Sequence, residues 1–458
     1  LSRVPGIRIP RVLLFVVSQL VLAPVAARLK RSDWLHGQQA SACLPEAVHR
    51  SESCPTRGNL FAPPNPSWAR LRPRPRCVNR LRPRSHTSHS FIIAAPERTP
   101  PTPSLTCNQG CDQAPESSAG SGSIRYHPGR ENAAATHPYQ GLTPDLILGA
   151  LESQGFDCDG RLLALNSYEN RVYQIGVEGG TPVVAKFYRP GRWSRDAILE
   201  EHVFAVELAA QEIPVVAPLA GPGGATLHQY QGFLFAVYPR CGGRWPELDT
   251  RERRKQMGRL LGRIHALGAC RPFRYRMRLD IETLGDAARN FILGQDLLPA
   301  YLIDAYSSLT DDLLARARAL FASAGTLTYI RLHGDCHPGN ILWTERGPHF
   351  VDLDDCCMGP AIQDLWMLLS GQSDEMRAQL QDLLEGYETF FDFDHASVIL
   401  TEALRTLRLM HYSAWIARRW DDPAFPRAFP WFDSPRYWEE HILTLREQAA
   451  AMDEPLVL

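Results

Sequence analysis

The chain has 458 residues, 44% of them apolar, and a formal net charge of -1 at pH 7. This balance hides two parts of opposite sign, because residues 1–136 hold 18 basic and 7 acidic side chains while residues 137–458 hold 31 and 43. An acidic main body argues against nucleic acid as the principal partner. The 11 cysteines form no CxxC pair and no zinc spacing, which argues against a disulfide scaffold and indicates reduced thiols in a cytoplasmic protein.

Residues 1–136 lack the composition of a folded domain. They contain 17 of the 36 prolines, and such sequence buries too little apolar surface to offset chain entropy. We expect a disordered arm or a non-native extension, and we favour the second because the first methionine of the chain is Met257. The apolar stretch Val12–Ala27 follows three arginines and fits an export signal as a third interpretation, but it is too short and interrupted for a membrane-spanning helix.

Residues 137–240 carry the pattern of a small antiparallel sheet with two helices. The first helix should begin after Thr143, an N-cap residue followed by a proline and an acid, and should end at Gly155. A second helix is capped by Ser194 and reaches about Gln211. Alternating or β-branched runs predict five strands, at 161–165, 171–177, 183–187, 226–228 and 233–238.

Residues 241–458 are predicted to be mainly helical. Apolar periodicity indicates one amphipathic helix over 251–267 and one or two helices within 297–324. A short strand predicted at 327–332 leads into the densest motif of the chain. The predicted fold is therefore α+β and bilobal, like that of protein kinases, with a nucleotide-binding N-lobe at 137–240 and a catalytic, acceptor-binding C-lobe across a cleft.

The densest motif, His-Gly-Asp-Cys-His-Pro-Gly-Asn-Ile-Leu, occupies residues 333–342. Asp335 and Asn340 have the Asp-x-x-x-x-Asn spacing of a kinase catalytic loop, in which the Asp orients the acceptor hydroxyl and takes its proton while the Asn binds magnesium. Asp352 follows an apolar strand predicted at 349–351, where a kinase places another magnesium ligand. Magnesium prefers such hard oxygen donors. The spacing therefore predicts ATP-dependent phosphotransfer, with Asp335 as the catalytic residue and Asn340 and Asp352 as metal ligands.

Some neighbouring side chains allow more than one interpretation. A lone His-Gly-Asp triplet is usually a turn, and only its combination with the spaced Asn and Asp indicates catalysis. His337 either orients the loop or fills the core. Asp354 is either a further metal ligand or, as we favour, a support for the site, and Cys336 is expected to be inert packing.

The N-lobe supplies candidate nucleotide-binding residues. Lys186 lies on a predicted strand, where a kinase lysine reaches the α- and β-phosphates and an acid on the next helix holds it. Glu200 and Glu201 are both on that helix, but only one of them can face inward, and we favour Glu201. The sequence has no Gly-x-Gly-x-x-Gly loop, so donors from Asn166 and Ser167 would replace it unless this turn is an ordinary polar hairpin.

The two-lobe layout predicts two further contact regions. Backbone groups of Phe235–Tyr238, the predicted lobe connection, would read the adenine. The acceptor site belongs to the helical lobe, where Trp415, Arg418, Arg419 and Trp420 are candidates to line it.

Several longer stretches resemble the stress response kinase A family of bacterial Ser/Thr protein kinases, within the aminoglycoside/choline phosphotransferase-like superfamily. The resemblance spans about residues 137–455. The catalytic loop fits the whole superfamily, whereas Asn-Ser-Tyr-Glu-Asn at 166–170 and Gln-Asp-Leu-Trp at 363–366 are narrower. The other stretches that carry the resemblance lie at 186–190, 198–202, 331–337 and 420–425.

The resemblance implies a role for each matching position. Asp335 would be the proton acceptor, Asn340 and Asp352 the magnesium ligands, and Ser167 a contact to ATP. It also implies a cytoplasmic enzyme that uses ATP and Mg2+ to phosphorylate Ser or Thr of proteins, including itself. We expect a monomer with no membrane or nucleic-acid partner. Residues 1–136 have no counterpart in the family.

Two rival functions remain at this point. The same catalytic loop serves kinases of small hydroxyl compounds such as aminoglycosides, choline or homoserine, and labelling of the protein by labelled ATP alone would separate the two. A non-catalytic nucleic-acid-binding protein that uses the Arg-Pro arm is the remote rival. Salt-dependent DNA binding that is lost on deleting residues 1–136 would favour it, but it leaves Asp335, Asn340 and Asp352 unexplained.

Overall fold

The computed structural model describes residues 137–458. The predictions about residues 1–136, including the export signal at Val12–Ala27, lie outside the described residues. Within the described range, every helix is too short or too polar to cross a membrane.

The first helix, α1 (Pro144–Glu152), begins where the sequence predicts. The Thr143 hydroxyl caps it by accepting a hydrogen bond from the Leu146 amide at 3.3 Å, and proline occupies its first position. Just upstream, the buried Tyr139 donates its hydroxyl to the Glu169 carbonyl at 2.8 Å. The segment before α1 is therefore bonded to a loop of the neighbouring sheet.

A five-stranded antiparallel sheet forms the body of the N-lobe. Its strands are β1 (Cys158–Ala164), β2 (Arg171–Val177), β3 (Val183–Phe187), β4 (His228–Tyr230) and β5 (Phe233–Pro239). They lie in the spatial order β1-β2-β3-β5-β4. Lys186 of β3 stands opposite Val172 of β2 and Ala236 of β5, so this lysine is on a central strand rather than an edge. The bounds of β2 and β3 match the prediction, whereas β1 begins earlier and β4 later.

The helix α2 (Arg195–Ala210) follows β3 and carries the candidate acid Glu201. Its N-cap is the predicted Ser194, whose hydroxyl accepts a hydrogen bond from the Ala197 amide at 3.1 Å. Buried positions recur every three to four residues, which identifies the inward face. The buried positions are Ala197, Ile198, Glu201, His202, Phe204, Ala205 and Leu208.

The lobe connection was predicted at the wrong place. Phe235–Tyr238 lie inside β5, where they pair with β3 and where the Val237 carbonyl accepts a hydrogen bond from the Leu219 amide at 2.7 Å. The strand predicted at 233–238 is confirmed by its pairing with β3, so the connection assigned to the second half of that strand was misplaced. The chain crosses to the second lobe over residues 240–250.

The second lobe is mainly helical. Its α-helices are α3 (Arg251–Gly268), α4 (Ala287–Leu293), α5 (Ile303–Ser323), α6 (Ile362–Trp366), α7 (Ser373–Tyr387), α8 (Thr401–Ala417), α9 (Ala424–Ala428) and α10 (Pro435–Asp453). α3 and α7 approach so closely that only glycine fits at the contact. A Cβ on Gly258 would lie 1.9 Å from the Leu383 carbonyl oxygen, and one on Gly386 would lie 2.0 Å from that of Lys255.

Two short antiparallel ladders bring the functional motifs together. β6 (Ile330–Leu332) pairs with β9 (Cys357–Gly359), and β7 (Ile341–Thr344) pairs with β8 (Gly347–Phe350). The catalytic motif connects β6 to β7, and Asp352 lies in the segment from β8 to β9. The pairing therefore places both segments side by side. Together with the sheet and the helices, it confirms the predicted α+β, bilobal, kinase-like fold.

Candidate active site

A buried carboxylate fixes the start of the catalytic loop. Asp364 of α6 accepts hydrogen bonds from the backbone amides of His333 at 2.8 Å and Gly334 at 2.9 Å, and from His265 Nε2 at 3.0 Å. Gly334 has a φ of +81°, and a Cβ there would lie 2.2 Å from the Asp355 carbonyl oxygen. Only glycine fits this position, so the loop leaves β6 in one conformation.

Asp335 and Asn340, which the sequence pairs by spacing alone, are in direct contact. Asn340 Nδ2 donates to the Asp335 carbonyl at 2.9 Å and to its carboxylate Oδ2 at 3.2 Å. His337 Nδ1 accepts from the Gly339 amide at 2.9 Å, and His337 Nε2 lies 3.5 Å from Asp335 Oδ2. His337 therefore orients the loop, which was the first of its two interpretations.

The β7–β8 hairpin delivers Asp352 to the same place. Ile341 pairs with Phe350, and the Val351 amide donates to the Asn340 carbonyl at 3.0 Å, so the chain runs beside Asn340 just before it reaches Asp352. Asp352 has a φ of +59°, a left-handed conformation that costs a non-glycine residue about 1–3 kcal/mol. Its side chain remains 55% exposed. A strained, open carboxylate of this kind is typical of a functional position.

Lys186 gathers three carboxylates in the cleft. Its Nζ lies 3.3 Å from Glu201 Oε1, 3.1 Å from Asp352 Oδ1 and 2.9 Å from Asp354 Oδ1. Burial opposes the ammonium charge, but Asp354, Glu201 and Asp352 raise the pKa of Lys186 well above its ordinary value. The lysine is therefore charged, and it forms the strand-to-helix pair with Glu201 that a kinase N-lobe requires.

Glu200 and Glu201 point in different directions from α2 and take different partners in the segment at 274–276. Glu200 accepts hydrogen bonds from the three backbone amides at 274–276, at distances of 2.7 to 3.1 Å. The buried Arg276 side chain donates to Glu201 Oε2 at 2.8 Å and to the Asp354 carbonyl at 2.8 Å. Arg276 thus ties α2 to the segment that carries Asp352.

Asp354 is enclosed by cations. Its Oδ1 contacts Lys186, its Oδ2 forms an ion pair with Arg192, and Arg192 reaches Asp355 Oδ1 at 2.5 Å. Burial acts to raise the pKa of Asp354, but Arg192, Lys186 and Arg276 together lower it below the ordinary value of 3.8. Because both carboxylate oxygens are engaged by protein cations, the arrangement favours the support interpretation of Asp354.

Arg408 of α8 holds Asp335 from the helical side. Its Nη2 lies 2.6 Å from Asp335 Oδ1. Burial acts to raise the pKa of Asp335, but Arg408, His337 and His333 lower it well below the ordinary value of 3.8. Asp335 is therefore ionised at neutral pH and can accept a hydrogen bond from an acceptor hydroxyl.

The β1–β2 loop at 166–170, which we call the nucleotide loop, is folded back onto the end of β3. The Ser167 hydroxyl donates to the Asn170 carbonyl at 2.9 Å, and Asn170 Oδ1 accepts from the Arg189 amide at 3.1 Å. Asn166 is exposed. These bonds give the loop a defined shape without a glycine-rich sequence.

A cavity of about 260 Å³ lies beside Asp335. Its polar lining includes Asp335, His337, Arg408 and His411. Much of the remaining wall is apolar or aromatic, and includes Tyr168, Leu279, Leu404, Tyr412, Trp415 and Phe429. An acceptor placed here would present its hydroxyl to Asp335.

Of the four residues predicted to line the acceptor site, Trp415 lines this cavity, whereas Arg418, Arg419 and Trp420 do not. Arg418 donates to the backbone of α4, and Arg419 pairs with Glu169 of the nucleotide loop. The ring of Trp420 packs against that of Phe432. These positions follow the end of α8, so they leave the helical face on which Trp415 reaches the cavity.

Comparison with known proteins identifies the family of this chain. Residues 161–400, slightly more than half of the chain, match the model of the phosphotransferase enzyme family. The chain belongs to the phosphotransferase enzyme family. It is 48% identical over 324 residues to stress response kinase A of Escherichia coli O157:H7, a match that covers 71% of this chain and 97% of that protein.

Two further matches agree with this phosphotransferase assignment. The chain is 46% identical over 317 residues to the serine/threonine protein kinase RdoA of Salmonella typhimurium, covering 69% of this chain and 95% of that one. The fold is also that of amicoumacin kinase hAmiN, solved in complex with AMP-PNP, Ca2+ and Ami, with a TM-score of 0.53 and 19% identity over 68% of this chain and 95% of that one. The prediction of an ATP-dependent kinase is confirmed by the family and the relatives.

Three arginines of this phosphotransferase were not predicted from the sequence. Arg192, Arg276 and Arg408 each contact a candidate site carboxylate, at Asp354, Glu201 and Asp335 respectively. Arginine supplies nearly all the positive charge of the chain, so no single arginine stands out by its residue type. Only Arg192, which closely follows the stretch at 186–190, lay near a motif that could have drawn attention to it.

Proposed function

We propose that this chain is a Ser/Thr protein kinase that uses Mg2+ and transfers the γ-phosphate of ATP to hydroxyls of proteins, including its own. The observation that carries the proposal is the direct contact between Asp335 and Asn340, with Asp352 delivered beside them by the β7–β8 hairpin. The Lys186–Glu201 pair in the facing lobe supports it. The identity to stress response kinase A and to a serine/threonine protein kinase favours protein acceptors.

In the proposed reaction the Asp335 carboxylate accepts a hydrogen bond from the acceptor hydroxyl. The hydroxyl oxygen bonds to the γ-phosphorus while the bond from that phosphorus to the oxygen of the departing ADP breaks, and the hydroxyl proton passes to the carboxylate. A carboxylate with a lowered pKa is a weak base, so its main contribution is to aim the hydroxyl. Asn340 and Arg408 fix the carboxylate for that purpose. This suits a transition state in which proton transfer is late.

The nucleotide is assigned to the facing side of the cleft. Lys186, held by Glu201, would bind the α- and β-phosphates, and the nucleotide loop would contact ATP through Asn166 and Ser167. In this arrangement the phosphates lie between the sheet and the catalytic loop. The charged lysine then offsets the negative charge of the triphosphate.

The proposed magnesium ligands are Asn340 and Asp352. Within residues 137–458, no group of three or more His, Cys, Asp or Glu side chains could hold a metal by itself. Two oxygen donors with one open carboxylate fit Mg2+, which keeps several waters and takes its remaining ligands from substrate phosphates. When bound, the ion would neutralise charge on the β- and γ-phosphates.

Self-labelling tests the proposed function. The full chain is incubated with γ-labelled ATP and Mg2+ without any other acceptor, and label on Ser or Thr of the protein is expected. Asp335→Ala should lower the labelling rate by about 10² to 10⁴, the usual contribution of a positioned acid–base group. Asp392→Ala, an exposed aspartate after α7, is the matched control and should label like the wild type. Absence of label on the wild type, with ATP still consumed, would reject transfer to the chain itself.

A small-molecule hydroxyl kinase is the second candidate, and the cavity beside Asp335 is the observation that favours it. Its volume of about 260 Å³ and its aromatic wall suit a compact organic acceptor. ADP release is measured with aminoglycosides, choline or homoserine and compared with release in the presence of Ser/Thr-containing proteins. A small compound that exceeds every protein by kcat/KM would establish this candidate instead.

The proposal includes a cytoplasmic, monomeric enzyme. The six cysteines of residues 137–458 are free thiols, and Cys336, Cys356 and Cys357 are buried in and after the catalytic loop. Such thiols persist in a reducing compartment. Sedimentation equilibrium of the full chain tests the monomer, and a mass twice that of the chain would reject it.

A further inference from the structure

An ion-pair cluster joins the two lobes, in addition to the chain segment at 240–250 and the contacts of Lys186, Arg192 and Arg276. Its centre is Asp422, which follows α8 and whose side chain is fully buried. Asp422 Oδ1 lies 2.8 Å from His137 Nε2, and its Oδ2 lies 2.8 Å from Arg189 Nη1 and 3.3 Å from Arg171 Nη2. All three basic groups belong to the N-lobe. His137 lies before α1, Arg189 lies just after β3, and Arg171 is the first residue of β2.

The nucleotide loop has its own anchor on the helical lobe. Glu169 is buried, and its Oε2 accepts a hydrogen bond from Trp415 Nε1 at 2.6 Å and forms an ion pair with Arg419 Nε at 2.5 Å. The neighbouring Tyr168 ring packs with its centre 5.1 Å from that of Phe429. Two consecutive side chains of the loop are therefore held by the opposite lobe.

Arg171 links the loop to Asp422. Its Nη1 donates to the Tyr168 carbonyl at 3.0 Å while its Nη2 faces Asp422. Its guanidinium also stacks 4.3 Å from the centre of the Tyr139 ring, and the Tyr139 hydroxyl donates to the Glu169 carbonyl. The loop backbone is thus held by groups whose positions depend on Asp422.

The place of the loop connects this bridge with catalysis. Asn166 and Ser167 are the proposed nucleotide contacts, whereas Tyr168 and Glu169 line the cavity beside Asp335. One short turn therefore borders both proposed substrates. Moving the loop away would remove nucleotide contacts and open one wall of the acceptor cavity at the same time.

We propose that Asp422 is a positioning residue that holds the nucleotide loop closed over the cleft. It touches neither substrate and acts through Arg171, Arg189 and His137. Losing its charge frees the loop, so binding of nucleotide and acceptor weakens while the chemical step at Asp335 is preserved. This inference rests on the proposed nucleotide role of the loop.

The test compares Asp422→Asn with Asp421→Asn in the full chain. Asp421 is the adjacent aspartate and is exposed, which makes it a matched control. Because a buried hydrogen-bonded charge pair contributes strongly to holding the loop, we expect KM for ATP to rise about tenfold or more in Asp422→Asn. The value of kcat at saturating substrates should stay within about threefold of wild type. Hydrogen exchange of the backbone amides at 166–171 should become faster in the same variant. Asp421→Asn should match the wild type in both measurements.

A second variant covers the case in which Asp422→Asn does not fold. Arg171→Lys keeps the positive charge facing Asp422 but has only one nitrogen, so it cannot hold Asp422 and the Tyr168 carbonyl in the fork geometry of arginine. We expect a smaller rise in KM for ATP and faster exchange at 166–171, with unchanged exchange in α3 and α7. If either variant is folded and keeps both wild-type KM and wild-type loop exchange, the positioning role is wrong.

Other outcomes are equally distinct. A fall in kcat with KM and loop exchange unchanged would mean that Asp422 acts on the chemical step, which also overturns the inference. A wild-type protein that neither binds ATP nor labels itself would reject the proposed function instead, because that result does not depend on Asp422.

Discussion

At the scale of single residues, the protonation of Asp335 depends on its neighbours. Burial by itself favours the neutral carboxyl and therefore raises the pKa of Asp335. Arg408 at 2.6 Å, with His337 beside it, reverses that effect and lowers the pKa of Asp335. An arginine on a distant helix therefore sets the working state of the catalytic loop.

Replacing Arg408 with Gln should raise the pKa of Asp335, because burial would then act with less opposition. A carboxylate with a lowered pKa keeps its activity above that pKa and loses it only as the pH falls through it. The acid limb of the kcat–pH profile that Asp335 sets should lie below pH 3.8 in the wild type and should move to higher pH in Arg408→Gln. Arg405→Gln, one turn earlier on α8 and paired with Glu402, is the control. An acid limb that stays in place would contradict this role of Arg408.

At the scale of elements, the exit from β6 depends on Gly334. An alanine there would combine a positive φ of +81° with a Cβ 2.2 Å from the Asp355 carbonyl oxygen. We expect Gly334→Ala to cost about 3 kcal/mol or more of unfolding free energy, because the strain and the collision add. The turnover rate should fall with it, since the loop carrying Asp335 must shift.

Gly325→Ala is the matched control for that variant. Gly325 also has a positive φ, +72°, but a Cβ there would meet nothing within 4 Å. Backbone strain alone should cost about 1–2 kcal/mol, with normal turnover. Urea unfolding and kcat measured on both variants separate strain from collision, and equal losses in the two would show that the Asp355 contact is unimportant.

Local signals made the elements predictable, and ambiguous local signals caused the errors. Thr143 and Ser194 cap helices because the chemistry of an N-cap is contained in a few consecutive residues. β2 and β3 were predicted with the right bounds because the alternating or β-branched pattern of a strand is also contained in consecutive residues. The run at Phe235–Tyr238 fits both a strand and a connection, and only its pairing with β3, distant in sequence, distinguishes them.

At the scale of the whole molecule, two buried histidines, His202 and His441, and the half-buried His411 make the fold sensitive to acid. Burial is the main cause that lowers the pKa of His202 to about 3, and those of His411 and His441 to about 4, from an ordinary value of 6.5. The unfolded chain binds these protons at a higher pH than the folded chain does. Stability is therefore complete above pH 6.5 and falls as the pH drops from 6.5 toward 4.

The expected slope follows from proton linkage. Each histidine contributes up to about 1.4 kcal/mol of unfolding free energy per pH unit in that window. His202→Gln should reduce the slope of unfolding free energy against pH by the contribution of about one proton. His395→Gln, which replaces an exposed histidine, should leave this slope unchanged. Urea unfolding at several pH values gives both slopes. Identical slopes in wild type and His202→Gln would contradict the assignment of a neutral buried His202.

The long-range ion pairs of the site could not be predicted from the sequence. Asp335, Asn340 and Asp352 were found because a fixed spacing and a hairpin bring them together. Arg408 and Asp422 were missed as contacts because their partners lie far away in the chain, and the sequence offers many arginines for each carboxylate. Pattern and spacing therefore indicate which residues come together as candidate reacting groups, while the network that orients them depends on the tertiary structure.

We propose that Asp335, Asn340 and Asp352 form one centre for magnesium-dependent transfer from ATP. The most direct test of this centre is the Mg2+ dependence of γ-phosphate transfer by the wild type and by Asp352→Asn, with folding checked by circular dichroism. We expect Asp352→Asn to fold normally, yet to transfer phosphate slower by about 10² or more, and added Mg2+ not to restore the rate. A folded Asp352→Asn with wild-type transfer at the same Mg2+ concentration would contradict it.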